Sequence, residues 1–179
     1  NAKEAGSILN QGKVLVDRKP RKDSKFPVGI MDLIEIPDTK EAFLVIPDKA
    51  GLKLEKVKQD QASQKLCKIT GKKTLKKGIQ QLNLHDGRNI LVKKDTYKVG
   101  DSVMISLPDQ KITEHFRLAK GADVMVFAGR NRGISGKVKD IHEKKNMLEK
   151  STVLLDSEKK EIKIPRGYVF VIGKSKEKK

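Results

Sequence analysis

Residues 121–141 constrain the fold more tightly than any other part of this chain. They open with an apolar run at residues 124–128, which has the length and the branched and aromatic content of a buried strand. Glycines then follow at Gly129, Gly133 and Gly136, and glycine allows the positive φ angles and close backbone approach that a tight reversal needs. A second apolar strand comes next, so we expect a β-hairpin here.

The tip of this hairpin is cationic. Arg130 and Arg132 lie in the turn, and no acid occurs between residues 123 and 140 to neutralise them. Lys137 and Lys139 carry the positive charge into the second strand. A cationic tip held by two apolar strands suits contact with phosphates, which predicts a nucleic-acid partner. The alternative is an ordinary glycine-rich hairpin with exposed arginines.

The hairpin resembles the KOW motif. The positions that carry the resemblance are Gly121, Asp123, Val124, Val126, Gly129, Gly133, Gly136, Val138 and Ile141. KOW modules are small SH3-like barrels found in ribosomal proteins and transcription elongation factors, so the resemblance implies such a barrel. Further strands are predicted at residues 152–155, 161–164 and 168–172, which gives the number of short strands that a barrel of this size requires. We assign residues 119–173 to this module.

The charge balance favours the same kind of partner. The chain has 179 residues with 40 lysines and arginines against 23 acids, a formal net charge of +17. An excess this large is the electrostatic footprint of a nucleic-acid binder. An anionic membrane is the alternative, but no apolar run approaches the roughly 18 residues of a membrane span. With no Trp and only two Tyr, a platform for stacking single-stranded bases is not expected.

Cysteine usage and the first residue bear on cellular context. Cys67 is the only cysteine, so no intramolecular disulfide can form, which fits a reducing cytoplasm. No signal peptide opens the chain. The sequence begins with Asn1 rather than Met, and we expect it to start inside a longer gene product.

Residues 1–37 form a first predicted module. A helix at residues 2–9 is stopped by Gly12, a strand follows at residues 13–17, and a second strand covers residues 30–36. The loop between the strands is basic and contains Arg18, Lys19, Arg21, Lys22 and Lys25.

This plan resembles the S4-type RNA-binding domain. The matching positions are Gly12, Val14, Val16, Val28, Gly29 and Ile34. An acid often follows the last glycine of that pattern, and here it is displaced to Asp32. The resemblance implies RNA binding by a partial domain whose first helix is missing. The alternative is a plain hairpin with a lysine-rich loop.

Residues 38–118 form a predicted central module of short strands. The strands are expected at residues 42–46, 52–58, 65–74, 79–84, 90–92, 103–107 and 111–116, with a polar or helical turn at residues 59–64. Turn residues separate them, which is typical of a small all-β barrel or sandwich. From residue 61 to residue 85 there is no acid, while lysines stand at Lys65, Lys68, Lys72, Lys73, Lys76 and Lys77. Such a run is either a solvated face or a surface that tracks phosphates.

No residue pattern indicates catalysis, a metal or a cofactor. His85, His115 and His142 lie far apart without metal-ligand spacing, and a single cysteine cannot build a thiolate zinc site. Residues 85–88 are predicted to be a hairpin turn. Cys67, set among apolar residues, is predicted to be a small buried residue. We therefore expect a protein that is not an enzyme.

The order of the modules resembles the S4e family of archaeal and eukaryotic small-subunit ribosomal proteins. The resemblance is carried by residues 26–34 (FPVGIMDLI), residues 65–69 (KLCKI), Asn131-Arg132-Gly133, and residues 168–174. It implies a non-catalytic, cytoplasmic, ribosome-associated protein. Its partners would be small-subunit rRNA and neighbouring ribosomal proteins, with no membrane contact and a monomer outside the ribosome. The chain lacks that family's basic N-terminal extension and part of the first domain.

The sequence thus predicts a mainly β protein with a minor α part. Its modules are a partial S4-type α/β domain (1–37), a central β barrel-like domain (38–118), a KOW barrel (119–173) and a basic tail (174–179). The predicted RNA-binding residues are Arg18, Lys19, Arg21, Lys22, Lys25, Lys68, Lys72, Lys73, Lys76, Lys77, Arg130, Arg132, Lys137 and Lys139. Two other functions stay open, namely a KOW-containing transcription elongation factor and the RNA-docking part of an RNA-modifying enzyme.

Overall fold

In a computed structural model of the chain, the described residues form three antiparallel five-stranded sheets and one N-terminal α-helix. The structure describes residues 2–93, 95–143, 151–157 and 160–173. The predicted mainly β class with a minor α part is confirmed, and the predicted strands recur at nearly the same positions. The predicted tail at residues 174–179 and most of the polar segment after residue 142 lie outside the described residues.

The elements have the following bounds. The helix α1 spans Ala2–Asn10; the strands are β1 Leu15–Val16, β2 Lys19–Pro20, β3 Leu33–Ile36, β4 Glu41–Asp48, β5 Gly51–Val57, β6 Gln64–Thr74, β7 Gln80–Leu84, β8 Asn89–Val92, β9 Ser102–Ser106, β10 Ile112–Phe116, β11 Asp123–Val126, β12 Ser135–His142, β13 Thr152–Ser157, β14 Lys160–Pro165 and β15 Val169–Val171. Strand β2 lies inside the segment predicted as a basic loop. Within the described residues, no helix has the length and apolarity needed to cross a membrane.

Strand pairing divides the chain differently from the prediction. The sheet orders are β2-β1-β3-β4-β5, β10-β9-β6-β7-β8 and β14-β13-β12-β11-β15. Because β4 pairs with β3, residues 41–57 belong to the first sheet, which therefore extends across the predicted module boundary at residue 37. Pro37–Thr39 is instead a 3-10 turn inside a β3–β4 hairpin, with Lys40 at a φ of 55°. The division into three domains stays a prediction.

Strand β6 of the second sheet packs against both of the other sheets. Its Cys67 and Ile69 enter a core that also contains Leu33 and Ala42 of the first sheet. Leu66, on the opposite face, packs against the core of the third sheet. Successive side chains of a strand point to opposite faces, so one long strand can contribute to two cores. The predicted burial of Cys67 is confirmed, since none of its surface is exposed.

The glycine-rich hairpin has the predicted form. Gly129 and Gly133 adopt φ angles of 80° and 83°, which side-chain-bearing residues rarely accept. A Cβ on Gly136 would lie 2.5 Å from the carbonyl oxygen of Asp156, so the chains can approach only because this residue has no side chain. The third sheet thereby curves into a half-barrel whose core includes Val124, Val138 and Val169.

Candidate nucleic-acid interface

The first basic segment lies partly on the surface and partly within ion pairs. Lys19, Lys22 and Lys25 are exposed. Arg18 is held by the protein itself, because its Nε lies 3.2 Å from the Glu35 carboxylate and also donates to the Ala62 carbonyl. Arg21 is half-buried and its guanidinium lies 3.9 Å from the centre of the Phe26 ring.

The second basic segment divides between core and surface, which corrects one predicted contact. Lys68 is only 4 % exposed, and its Nζ donates to the Gly167 carbonyl at 2.7 Å while facing the Phe127 ring. Burial, followed by the nearby Arg166 charge, lowers the pKa of Lys68 to about 8. The Lys68 ammonium therefore has no access to RNA, and its predicted role as an RNA contact is wrong.

The remaining lysines of this segment lie on the β6–β7 hairpin. Lys73, Lys76 and Lys77 are exposed. Lys72 is half-buried, and its ammonium bonds to Asp95 and to the Tyr97 carbonyl. The hairpin thus presents three open cations at its end, and Lys72 holds the following loop.

The third basic segment places one arginine on the surface and fixes the other. Arg130 is exposed at the hairpin tip. The guanidinium of Arg132 donates to the carbonyl oxygens of Asp48 and Lys49 at 2.9 and 3.2 Å, so it fastens the tip to the β4–β5 turn. Lys137 is exposed, and Lys139 forms a surface ion pair with Glu161.

A buried ion cluster joins the first and second sheets beside these surfaces. The side chain of Lys65 has no exposed surface, and its Nζ lies 2.6 Å from Asp17, 2.5 Å from Asp32 and 3.2 Å from Asp86. Arg88 adds contacts of 2.7 Å to Asp17 and 3.4 Å to Asp86. Although burial favours the neutral amine, the hydrogen bonds and charges of Asp17 and Asp32 outweigh it and raise the pKa of Lys65. Lys65, which lies in the acid-free run of the sequence, is therefore a buried residue with a structural role.

A cleft of about 850 Å³ lies where the three sheets meet, directly over this cluster. Its lining includes Lys19 and Arg21 of the first sheet, Arg88 of the second and Arg132 of the third. Asp17, Asp32 and Asp86 also line the cleft, but they are paired with Lys65 and Arg88, which leaves Lys19, Arg21 and Arg132 as the cations in excess. Such an arrangement can accept the negatively charged backbone of a nucleic acid.

Cys67, His85 and Asp86 also converge next to the cleft, with ligand atoms within 4.8 Å of one another. Both ring nitrogens of His85 are engaged, since Nδ1 accepts from the Lys68 amide and Nε2 lies 2.9 Å from the Ile30 carbonyl. Burial lowers the pKa of His85, which matches a neutral ring in these contacts. The Asp86 carboxylate faces Lys65. We interpret this group as a hydrogen-bonded part of the core.

Comparison with known proteins decides the family. The family model described as ribosomal family S4e matches residues 39–112. The small ribosomal subunit protein eS4 of Methanothermobacter thermautotrophicus is 45% identical over 175 residues, which are 97% of this chain and 72% of that protein. The chain belongs to the S4e family. The eS4 protein of Methanococcus aeolicus is 41% identical over 98% of this chain and 75% of its own length.

A solved structure of this family supports the architecture described above. The crystal structure of the 30S ribosomal protein S4e from Thermoplasma acidophilum superposes with a TM-score of 0.85 at 33% sequence identity. The match covers 97% of this chain and 87% of the Thermoplasma chain. The resemblance inferred from the sequence is thus confirmed at the level of family and fold.

Proposed function

We propose that this chain is a structural constituent of the small ribosomal subunit and binds rRNA through its basic surfaces. The observation that carries the proposal is the cleft at the junction of the sheets, whose lining includes Lys19, Arg21 and Arg132. The names of the eS4 relatives and the net charge of +17 support the same function. Phosphate neutralisation by such cations releases counterions and supplies most sequence-independent affinity for RNA.

The proposed partners are small-subunit rRNA and neighbouring ribosomal proteins. In this proposal the protein is cytoplasmic, monomeric outside the ribosome and without a membrane contact. It has no catalytic role and needs no cofactor or metal. The exposed cations of the proposed interface are Lys19, Lys22, Lys25, Lys73, Lys76, Lys77, Arg130 and Lys137. The half-buried Arg21 and Arg132 line the cleft together with Lys19.

The two other functions raised by the sequence receive no support from these relatives. A KOW-containing elongation factor would carry a surface for polymerase, and the relatives are named as small-subunit ribosomal proteins. An RNA-modifying enzyme would need a reactive group in the cleft. Cys67 borders the cleft residues, but burial and the Asp86 charge raise the pKa of its thiol far above neutrality, so it is a poor nucleophile.

Cosedimentation tests the proposed function. We expect the tagged chain, expressed in cells of an archaeal host, to remain with small subunits on a sucrose gradient after a wash at high salt. Salt weakens phosphate contacts steeply, so retention after this wash would have to come from shape complementarity and hydrogen bonds, which do not depend on counterion release. Recovery of the protein entirely in the free fraction at low salt would contradict the proposal.

Replacing Arg130 with alanine is expected to weaken rRNA binding without lowering stability. Arg130 is exposed at the tip, so its loss removes one phosphate contact and should reduce the slope of log affinity against log salt by about 1. Arg132→Ala should reduce the slope similarly and also lower the free energy of unfolding by about 1 kcal/mol, because two hydrogen bonds to the β4–β5 turn are lost. Binding is measured by fluorescence anisotropy and unfolding by urea titration.

Arg18→Ala is the matched control, because its guanidinium is already paired with Glu35. Its effect on the salt slope should be clearly smaller than that of Arg130→Ala. Equal salt slopes for wild type and the Arg130→Ala, Arg132→Ala double variant would show that the hairpin tip has only a structural role.

A further inference from the structure

We propose that the outward face of the β6–β7–β8 part of the second sheet is a second RNA contact surface, one that recognises ribose hydroxyls and base edges through uncharged amides. The inference rests on the proposed function, because it specifies which chemical groups of the rRNA one surface of the protein would recognise. Lys73 lies on this face, but its charge does not account for the amides beside it.

Strand register defines the face. Gly71, Asn83 and Asn89 pair across three strands, and the next row on the same side contains Lys73, Gln81 and Leu91. Directly paired residues point to the same side of a sheet, and so do residues two apart along a strand. The intervening row, which includes Leu82 and Ile90, points the other way into the core. Three amides, a lysine and a leucine therefore share one outward surface.

The face is open to a ligand. Lys73, Asn89 and Leu91 are exposed, and Gln81 and Asn83 are half-buried. Leu91 is 59% exposed and adds apolar surface to the face. Further along β6, Lys68 donates to Gly167 of the third sheet, so the half-barrel covers that part of the strand and leaves residues 70–74 accessible.

The amides keep hydrogen-bonding capacity for a partner. Gln81 Nε2 donates to Asn83 Oδ1 at 3.0 Å, which orients both side chains. Each amide offers one carbonyl and two N–H groups, so the Gln81 oxygen and the Asn83 amino group remain available. No side-chain hydrogen bond joins Asn89 to any residue in the part of the chain that the structure describes. A Cβ on Gly71 would lie 3.4 Å from Asn83 Nδ2, so the glycine leaves that amide uncovered.

The charges around the face indicate a polyanion. No acid occurs at residues 61–85 or 87–94, and the exposed Lys76 and Lys77 stand at the end of the hairpin. The nearest acid along the chain after this stretch is Asp95, and it bonds to Lys72, whose side chain lies on the opposite side of β6. On the described residues of β6, β7 and β8, a partner therefore meets positive charge and neutral amides, since these strands contain no acid.

RNA fits this combination better than a protein surface does. The wide, shallow minor groove of A-form RNA displays 2′-hydroxyls and base edges, and proteins recognise it by shape and hydrogen bonds. Paired amides on a sheet can donate to and accept from those groups, while Lys73, Lys76 and Lys77 reach the flanking phosphates. Leu91 would cover the apolar edge of a ribose. A protein partner is the alternative that the test must separate.

The test compares neutral and charged substitutions on this face. The Gln81→Ala, Asn89→Ala double variant is expected to bind a small-subunit rRNA transcript from Methanothermobacter thermautotrophicus about 10-fold more weakly, since two net hydrogen bonds are worth roughly that factor. Its salt slope should equal that of wild type, because no charge is removed. Lys73→Gln should instead reduce the slope by about 1. Gln64→Ala, an exposed amide at the other end of β6, is the matched control and should bind normally.

The outcomes separate the two proposals. If wild-type protein binds this transcript no more tightly than random-sequence RNA, the proposed function fails. If wild type binds selectively and the amide double variant binds equally well, the amide face is not an RNA surface. Normal rRNA affinity with lost assembly into small subunits would assign the face to a protein and overturn the inference. Should the double variant unfold, Asn89→Thr on the edge strand β8 retains β propensity and is expected to bind about 3-fold more weakly.

Discussion

Replacing Lys65 with methionine is expected to lower the free energy of unfolding by about 3–5 kcal/mol, the range found when one partner of a buried ion pair is removed. The variant keeps nearly the same side-chain volume. Among the described residues it leaves Asp17 and Asp86 with Arg88 as an ion-pair partner and Asp32 with none. Uncompensated carboxylates in a buried setting are costly, so the first and second sheets should separate more easily. Urea unfolding monitored by circular dichroism measures the change.

Lys73→Met provides the control for this variant. It makes the same substitution on the same strand at an exposed position and should alter the free energy of unfolding by less than about 0.5 kcal/mol. Matching losses in the two variants would mean that the ion cluster does not stabilise the fold.

The ion cluster should lose stability both at high pH, where Lys65 loses its proton, and at low pH, where Asp86 gains one. Lys65 has a raised pKa in the folded state, so its contribution is complete below the unfolded pKa near 10.5 and is lost as the pH rises through the higher folded value. Burial alone would raise the pKa of Asp86, but Lys65 and the Arg88 amide lower it overall. The Asp86 contribution is therefore complete above about pH 3.8 and is lost as the pH falls through the lower folded value.

Most of the secondary structure could be predicted because it is a local property of the sequence. Alternating apolar residues and turn chemistry located β6, β7 and the hairpin at residues 85–88, where Gly87 adopts a φ of 84° and Asp86 accepts from the Arg88 amide. The pairing of the strands on either side of residue 37 could not be predicted, for a related reason. A proline and an acid mark a turn, but they do not show whether the strands on either side of the turn pair with each other, as β3 and β4 do.

The side chains of the candidate interface were harder to predict, because most of their partners lie far away in sequence. Arg132 fastens the tip to a turn more than 80 residues earlier in the chain, and no local pattern reports that contact. The burial of Lys65, by contrast, could have been predicted from the sequence. It lies two residues before Cys67 and four before Ile69, so strand alternation already placed it on the apolar face. A buried lysine on that face needs carboxylate partners, but the sequence alone does not identify which acids they are.

Lys65 and Lys68 show how one strand uses two buried lysines in opposite ways. Lys65 faces the cluster of carboxylates between the first and second sheets, which favour its charge. Lys68 is three residues away on the other face, against the third sheet, where its described partners are a carbonyl oxygen and the Phe127 ring. Burial and Arg166 lower the pKa of Lys68 to about 8. Charged Lys65 therefore stabilises the contact between the first and second sheets. The charge of Lys68 instead opposes the packing of the second sheet against the third.

This contrast predicts that the protein becomes more stable as the pH rises above about 8. The unfolded lysine titrates near 10.5 and the folded one near 8, so the cost of burying the Lys68 charge is present in full below about pH 8 and is relieved between the two values. Each pKa unit corresponds to about 1.4 kcal/mol, which makes the whole relief about 3 kcal/mol. Deprotonation of the unfolded Cys67 thiol acts in the opposite direction above about pH 9, because its folded pKa is raised.

The Lys68→Met variant isolates the lysine from the thiol. At each pH from about 7 to 9.5 its free energy of unfolding is subtracted from that of wild type, so the Cys67 contribution cancels. We expect wild type to gain about 2 kcal/mol relative to the variant over this range. At pH 7 the variant should be at least as stable as wild type, since removing a buried charge offsets the hydrogen bond lost at Gly167. A difference that stays constant with pH would mean that water or a conformational change keeps the ammonium solvated. Unchanged rRNA affinity and salt slope in the variant would support its assignment to the interior.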